Sequence, residues 1–251
     1  MTEYAPDDGL LVIDGLRKEF GGLTAVEDLS FAVEEGEILG FIGPNGAGKS
    51  TTFNCVTGVY PPTAGTVYYD GEDVTGEPAY EMVKRGLART FQEFRPLPDR
   101  NVRKNVELAL VPDRVLSLTG LRGETRERAV EICERVGLGD RLEQTPDELP
   151  HAGLLRLELA RALATDPDLL LVDEPFAGLS NSEVEALSAT LEELRQDGLT
   201  QVVVDHNMRG LLSLIDRAIV IEFGAKIAEG PPEAIRDDER VQEAYLGGED
   251  R

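Results

Sequence analysis

The chain has 251 residues and carries 48 acidic against 25 basic side chains, which gives a formal net charge of −23. This balance excludes the usual nucleic-acid-binding protein, which presents a basic surface. No apolar run approaches the roughly 18 residues of a membrane-spanning helix. Two cysteines, Cys55 and Cys133, are too few for a disulfide-stapled secreted domain. The composition therefore predicts a reduced, cytoplasmic, globular protein.

The acidity also predicts a salty environment. Lysine occurs at only five positions, so arginine supplies most of the positive charge. Repulsion within so acidic a chain is strong at low salt, whereas in 1 M salt it is screened beyond about 3 Å. We therefore expect a halophilic cytoplasm. The alternative is an ordinary acidic surface that keeps the protein soluble.

The first part of the chain alternates short apolar runs with turns. Four runs predict strands, at residues 10–13, 29–33, 37–42 and 66–69. The third of these leads into a glycine-rich loop, after which a helix is predicted over residues 49–57. The Pro- and Gly-containing residues 61–65 predict a turn.

From about residue 95 to 165 the pattern is helical and rich in charge. Apolar strands then return at residues 168–173, 201–205 and 218–222, with a helix predicted at 184–194. The last 15 residues are acidic and predict a surface helix with a frayed end. The alternation predicts a layered α/β core interrupted by a mostly helical insert.

The glycine-rich loop matches the phosphate-loop pattern G-x-x-x-x-G-K-[ST]. The predicted ATP-binding residues here are Gly43, Pro44, Asn45, Gly46, Ala47, Gly48, Lys49, Ser50 and Thr51. Glycines let several backbone N–H groups point at phosphate oxygens, and the following helix directs its positive N-terminus at the same anion. Lys49 is predicted to bind the β- and γ-phosphates, and Ser50 to bind Mg²⁺. The alternative is a glycine-rich structural turn.

Two carboxylates, Asp173 and Glu174, follow an apolar strand. Asp173 at the end of a sheet strand suits an Mg²⁺ ligand, usually through water. Glu174 can orient and polarise the attacking water as general base. His206 follows a second apolar strand and is one of only two histidines. Paired with the phosphate loop, the two carboxylates predict a nucleotide-hydrolysing site. A lone histidine at a strand end is by itself more often structural or solvated than catalytic.

These segments resemble the nucleotide-binding subunits of ATP-binding cassette (ABC) transporters over essentially the whole chain, in particular importers of branched-chain amino acids, urea or amides. Residues 20–26 look like the segment that stacks on the nucleotide base, which implies that Phe20 packs its ring against adenine and that Val26 also belongs to the nucleotide site. The alternative is that Phe20 is a core residue. Residues 89–92 look like the Q-loop, which implies that Gln92 contacts Mg²⁺ and the attacking water. Residues 205–208 look like the His switch, which implies that His206 senses the γ-phosphate.

Residues 177–180 look like the D-loop, which in this family contacts the partner subunit. Ser180 stands where most of the superfamily has Asp, although a neutral residue there is common in this importer group.

The signature segment departs from the family pattern L-S-G-G-Q. It maps to Leu149, Pro150, His151, Ala152 and Gly153, at the start of a helix that in this family binds the γ-phosphate of the opposite subunit. Ala152 replaces a glycine that permits close approach of backbone to phosphate. Two interpretations remain open. Either the signature works in altered form, with Gly153 relaxing the turn, or it is a degenerate half-site of an asymmetric heterodimer.

A basic island interrupts the acidic chain between residues 84 and 104. It consists of Lys84, Arg85, Arg89, Arg95, Arg100, Arg103 and Lys104, against only Glu93 and Asp99. In the resembled family this region receives a helix of the membrane subunit, so the island is a candidate docking surface or a contact to anionic headgroups. The alternative is a solvated or internally paired face.

The sequence thus predicts an α/β P-loop NTPase fold of the ABC nucleotide-binding type. We expect one domain over residues 1–251, with an antiparallel β region and a helical subdomain at about residues 93–165. The cofactors would be ATP and Mg²⁺, with Ser50, Gln92 and Asp173 as metal ligands. Expected partners are transmembrane permease subunits, a second ABC ATPase subunit and, indirectly, a solute-binding protein, at the inner face of the cell membrane.

Two other functions remain compatible with these motifs. One is an ABC ATPase outside transport, for example in iron–sulfur cluster assembly, because such proteins are of similar size. The other is a nucleotide-binding half with little turnover.

Overall fold

The computed structural model describes residues 4–90, 96–110 and 121–246. The strands in this part of the chain are β1 (Leu11–Phe20), β2 (Leu23–Val33), β3 (Ile38–Ile42), β4 (Ala64–Tyr69), β5 (Glu72–Asp73), β6 (Leu87–Arg89), β7 (Leu169–Asp173), β8 (Thr200–Val204), β9 (Arg217–Glu222) and β10 (Ala225–Gly230). The helices are α1 (Lys49–Val56), α2 (Ala79–Lys84), α3 (Val102–Ala109), α4 (Leu121–Arg135), α5 (His151–Leu163), α6 (Asn181–Gln196), α7 (Met208–Leu212), α8 (Pro232–Asp237) and α9 (Glu239–Leu246).

A six-stranded sheet positions the predicted site. Its order is β10-β9-β3-β8-β7-β6, and every neighbouring pair is parallel except β9 with β10. Strands β3 and β8 are buried at every position, which explains why they are continuous apolar runs in the sequence. Because parallel strands end at one edge of the sheet, the residues that follow β3, β7 and β8 meet there.

A second, antiparallel sheet lies beside the first in the order β2-β1-β4-β5. One hydrophobic cluster joins the two sheets around α1 and contains Phe31, Phe41 and Phe53. The other cluster packs the opposite face of the six-stranded sheet against α3, α4, α5 and α6. The α/β fold class with an antiparallel β region, predicted from the sequence, is confirmed.

All the elements described between Val102 and Leu163 are helices, including short 3₁₀ turns at Gly139–Arg141 and Pro146–Glu148. The domain limits proposed from the sequence remain predictions, and part of the expected helical subdomain lies outside the described residues. Buried residues of α3 and α4, such as Val106 and Ile132, pack with Leu157 of α5. This packing joins the helical region to the sheet through α5.

Several boundaries differ from the sequence-based expectation. The apolar runs at 10–13 and 29–33 belong to the longer strands β1 and β2. The rest of each strand contains polar and half-buried residues, so the apolar pattern does not show its full length. The helix expected at 184–194 begins earlier, at Asn181, because Ser180 and Glu183 form a capping box. Strands β6 and β10 were not predicted, since β6 has only three residues and β10 is mostly half-buried.

Candidate functional site

The phosphate-loop segment connects β3 to α1. Gly46 and Gly48 have φ values of 81° and 106°, in the left-handed region that favours glycine. A Cβ at Gly48 would lie 2.5 Å from the carbonyl oxygen of Ala25, so no side chain fits there. Val26, fully buried in β2, lies next to this glycine. The loop is thus a tight backbone cradle that leads directly into a helix N-terminus, as a phosphate site requires.

Lys49 is folded back onto the loop. The residue is only 8% exposed, and Nζ donates hydrogen bonds to the carbonyl oxygens of Gly43 and Pro44 at 2.6 and 3.0 Å. Burial lowers the pKa of Lys49, whereas the nearby carboxylates of Glu174 and Asp173 oppose that shift. The loop lysine and the two predicted acidic residues therefore share one site at the carboxyl edge of the sheet.

Asp173 is the last residue of β7. Two consecutive residues of the neighbouring chain segment bond to it: Arg89, the last residue of β6, and Thr90, which follows it. Its backbone N–H donates to Thr90 Oγ1 at 3.0 Å. Arg89 Nη2 donates to Asp173 Oδ2 at 2.8 Å, and both side chains of this ion pair are about nine-tenths buried. The ion pair with Arg89 of the neighbouring strand β6 thus fixes the orientation of the carboxylate that the sequence predicts to bind Mg²⁺.

Glu174 turns sharply out of the strand. Its φ of 51° lies in the left-handed region, which costs a residue other than glycine about 1–3 kcal/mol. The turn is held by a 2.7 Å hydrogen bond from the Glu174 backbone N–H to the carbonyl oxygen of Val204. It brings Glu174 Oε1 to 2.9 Å from His206 Nε2. The predicted base and the predicted sensor are therefore in direct contact.

Asp205, which sequence reasoning did not assign a role, fixes the backbone on both sides of the site. It is 3% exposed, and its two carboxylate oxygens accept the backbone N–H groups of Phe176 and Asn207, both at 2.7 Å. Burial raises the pKa of Asp205, although the two hydrogen bonds favour the carboxylate. The only signal in the sequence was an acidic residue at the end of an apolar strand.

Phe20 ends β1 and is 41% exposed, so the alternative of a core Phe is wrong. Its ring packs edge-on against Tyr60, with centroids 5.4 Å apart, and Lys18 Nζ lies 4.9 Å from the ring centroid. Sequence reasoning did not anticipate Tyr60 or Lys18. An exposed, supported aromatic ring of this kind can stack on a nucleotide base.

The predicted metal ligands lie on different elements. The hydroxyl of Ser50, at the start of α1, and the carboxylate of Asp173 are hard oxygen donors of the kind that Mg²⁺ prefers. Gln92 falls outside the described residues. Within the described part of the chain, no group of three or more His, Cys, Asp or Glu residues is able to hold a metal. This donor set fits Mg²⁺ that is shared with nucleotide phosphates rather than a metal caged by protein alone.

The signature segment lies at the start of α5, with Pro150 as its N-cap residue. Pro150 and His151 are exposed and Ala152 is half-buried. His151 Nε2 donates to the carbonyl oxygen of Ala177 at 2.9 Å, which joins this helix end to the predicted D-loop. Gly153 is a buried α5 residue without a positive φ, so its backbone needs no glycine. A Cβ there would lie 3.2 Å from that of Leu149.

The basic island is mostly paired within the chain. Arg85 bonds Glu72 and Glu77, Arg103 bonds Glu107 and Glu143, and Lys84 lies 3.3 Å from Glu81. Arg89 is buried against Asp173, and Arg95 lies outside the described residues. Among the residues that the structure describes, only Arg100 and Lys104 of the island are exposed and make no ion pair. The paired-face interpretation therefore describes most of the island.

A phosphate cradle, a buried strand that ends in a carboxylate pair, and a histidine in contact with the second carboxylate define a P-loop ATPase. Sequence comparison agrees: the family pattern described as "ABC transporter" matches residues 26–177. The chain belongs to the ABC transporter family and is an ATPase of that family. A second pattern, for the branched-chain amino acid ATP-binding cassette transporter, matches residues 225–251.

Known relatives cover almost the whole chain. The high-affinity branched-chain amino acid transport ATP-binding protein BraF of Pseudomonas aeruginosa is 38% identical, over 95% of this chain and 98% of its own length. The lipopolysaccharide export system ATP-binding protein LptB of Escherichia coli is 37% identical, over 94% and 97%. The dimeric structure of an ATP-binding cassette in a post-hydrolysis state, bound to ADP and Pi, superimposes with a TM-score of 0.78 at 28% identity, covering 88% of this chain and 98% of that one.

Across the part of the chain that the structure describes, no helix is both long and apolar enough to cross a membrane.

Proposed function

We propose that this chain is the ATP-hydrolysing subunit of an importer for branched-chain amino acids or related small polar solutes. The observation that carries the proposal is the match of residues 225–251 to the branched-chain amino acid cassette pattern. The identity to BraF supports the same solute class, whereas the nearly equal identity to LptB shows that overall similarity does not select it. Solute selectivity would reside in the permease and in the solute-binding protein, which are other chains.

The working assembly is a pair of ATPase subunits on separate permease subunits at the inner, cytoplasmic face of the cell membrane. Two ATP molecules lie between the pair, each held by the phosphate loop of one subunit and by the signature helix of the other. The dimeric ADP-bound relative supports this arrangement. Pro150, His151, Ala152 and Gly153 would then complete the site of the partner subunit.

Hydrolysis depends mainly on positioning and on charge neutralisation. Lys49 leaves the carbonyl oxygens of Gly43 and Pro44 to bind the β- and γ-phosphates. Glu174 accepts a proton from the attacking water, and His206 holds the Glu174 carboxylate and contacts the γ-phosphate. When bound, Mg²⁺ neutralises phosphate charge as a Lewis acid, and Ser50, Gln92 and Asp173 are the residues that would hold it.

The test is to purify the tagged subunit from native membranes at high salt and to identify the proteins bound to it. We expect a permease, a solute-binding protein and either a second ATPase or a second copy of this chain. ATP hydrolysis by the complex in liposomes should rise when the binding protein is loaded with leucine, isoleucine or valine. Stimulation by none of these amino acids and by no other small polar solute would contradict the solute assignment.

The same experiment separates the other candidates. The similarity to LptB favours an exporter as the second candidate, and a lipid-exporting permease in the purified complex would establish it. Soluble partners alone would indicate an ABC ATPase outside transport. A complete complex with negligible hydrolysis at high salt would indicate a low-turnover half of a heterodimer.

A further inference from the structure

Arg89 connects elements that the phosphate-binding motifs leave separate. It is the last residue of β6, and its side chain is 9% exposed. Nη1 donates to Asn54 Oδ1 at 2.7 Å, and Nη2 donates to Asp173 Oδ2 at 2.8 Å. The guanidinium also lies 5.4 Å from the centroid of the Phe53 ring. One side chain thus bonds to both α1 and the end of β7.

These contacts have a common feature, because each touches an element that carries a predicted Mg²⁺ ligand. Asn54 follows Ser50 by four residues in α1, so the two side chains lie on one face of that helix. Asp173 is itself a predicted ligand. Gln92, the third, comes three residues after Arg89 in the sequence. Gln92 itself falls outside the described residues, so the contacts of Arg89 bear on the positions of Ser50 and Asp173.

We propose that Arg89 is a positioning residue for Mg²⁺, which braces α1 against β7 and so sets the separation of Ser50 and Asp173. A planar guanidinium holds two acceptors in a fixed fork, which lysine cannot do. The inference rests on the proposed function, because it assumes that Ser50 and Asp173 hold the metal. The proposal also explains why the positively charged Arg89 is buried beside a predicted Mg²⁺ ligand, although repulsion between the guanidinium and Mg²⁺ would by itself weaken metal binding.

The sign of the effect tests the brace. If Arg89 acts only through its charge, its removal makes the metal bind more tightly, and a lysine leaves binding unchanged. If Arg89 acts as a brace, Arg89→Lys weakens metal binding although the charge remains. Asn54→Ala, which removes the other arm and leaves Arg89 on Asp173, weakens it as well. Removing a group that orients a metal ligand typically costs about 10- to 100-fold in affinity.

The measurement is the affinity of the full chain for Mn²⁺, as a spectroscopic substitute for Mg²⁺, with a non-hydrolysable ATP analogue bound. Titration by electron paramagnetic resonance should show at least about tenfold weaker Mn²⁺ binding in R89K and in N54A. The double variant should be little weaker than R89K, because both changes break one brace. ATP affinity in EDTA should stay within about twofold of the unaltered chain, which excludes general misfolding.

Arg85→Lys is the matched control, because Arg85 also bonds two side chains, Glu77 and Glu72, and neither of them is a predicted metal ligand. Its Mn²⁺ affinity should not change. Unchanged or tighter Mn²⁺ binding in both R89K and N54A would overturn the brace. If D173N loses Mn²⁺ while R89K keeps it, only this inference fails. If the unaltered chain with nucleotide binds no Mn²⁺, the proposed metal site itself fails.

Discussion

The two half-sites for nucleotide that are predicted for this chain are built in different ways. The half for its own nucleotide lies at the carboxyl edge of a buried sheet. There Lys49 is 8% exposed, and Asp173 is hydrogen-bonded to Arg89 and Thr90. The half predicted to complete the site of a partner subunit is the first turn of α5, which is exposed at Pro150 and His151. Hydrogen bonds to several elements fix the first half, whereas a hydrogen bond from His151 to the carbonyl oxygen of Ala177 joins the second half to the predicted D-loop.

This difference explains where the sequence departs from the family pattern. The first half needs particular side chains, because proton transfer and metal binding depend on their functional groups. The second half needs mainly the free N–H groups of a helix start, which almost any residue supplies. The substitutions at Ala152 and Gly153 are therefore in the half whose chemistry comes from the backbone. Four variants test this contrast.

The largest effect should come from Glu174→Gln, which removes the predicted base of the first half. Hydrolysis at the chain's own site should fall by about 10²- to 10⁴-fold, because an amide does not accept the proton of the attacking water. ATP binding should persist, since the shape of the side chain is kept. Single-turnover phosphate release and nucleotide binding measure the two effects. Glu185→Gln, an exposed carboxylate of α6, is the control, and unchanged turnover in E174Q would refute the assignment.

The double variant Arg100→Glu with Lys104→Glu should uncouple hydrolysis from transport. These two exposed residues of the basic island make no ion pair among the described residues, so their reversal should spare the fold while repelling an acidic face of the permease. Transport and solute stimulation should be largely lost in liposomes, and basal ATPase activity should remain. Arg126→Glu, an exposed site on α4, serves as the control. Full coupling in the double variant would contradict docking at the island.

His151→Phe tests the bond that joins the signature helix to the D-loop. The ring remains but the donor to the Ala177 carbonyl is lost, and one such hydrogen bond contributes about 0.5–1.5 kcal/mol. We expect nucleotide-driven pairing of subunits to weaken by about two- to tenfold, with ATP affinity of the isolated chain unchanged. Analytical ultracentrifugation in the E174Q background measures the pairing. His151→Tyr, which keeps a ring and a donor, should restore part of it, and wild-type pairing in H151F would show that the bond is dispensable.

The smallest effect is expected for Ala152→Gly, which removes one methyl group from the exposed helix start. Closer approach of backbone to phosphate should speed hydrolysis at the partner's site by a few-fold. The measurement needs a mixed pair in which E174Q silences the other site. An unaltered or slower partner site would favour a signature that already works in its present form. Gly153 already has helical backbone, so relaxation of a turn at that position is not required.

Much of the site could be predicted because its motifs are local. A glycine pattern between a strand and a helix specifies a phosphate loop, since backbone conformation depends on neighbouring residues. The carboxylates after β7 and the histidine after β8 followed from the same rule, because buried parallel strands are long apolar runs. The roles of these residues still await the experiments above. The basic island shows the limit of local reading, because its charges are mostly paired with residues such as Glu72, Glu77 and Glu143.

The sequence by itself determined the family, the phosphate loop and the main buried strands, because each depends on residues close together in the chain. Only the tertiary structure decided which distant side chains meet. It placed Glu174 against His206 across 32 positions, and Arg89 between Asn54 and Asp173 across 35 and 84 positions. Sheet register and helix packing set such contacts. The sequence therefore located the charge of Arg89 in a basic surface, whereas the fold turned it inward to the predicted metal site.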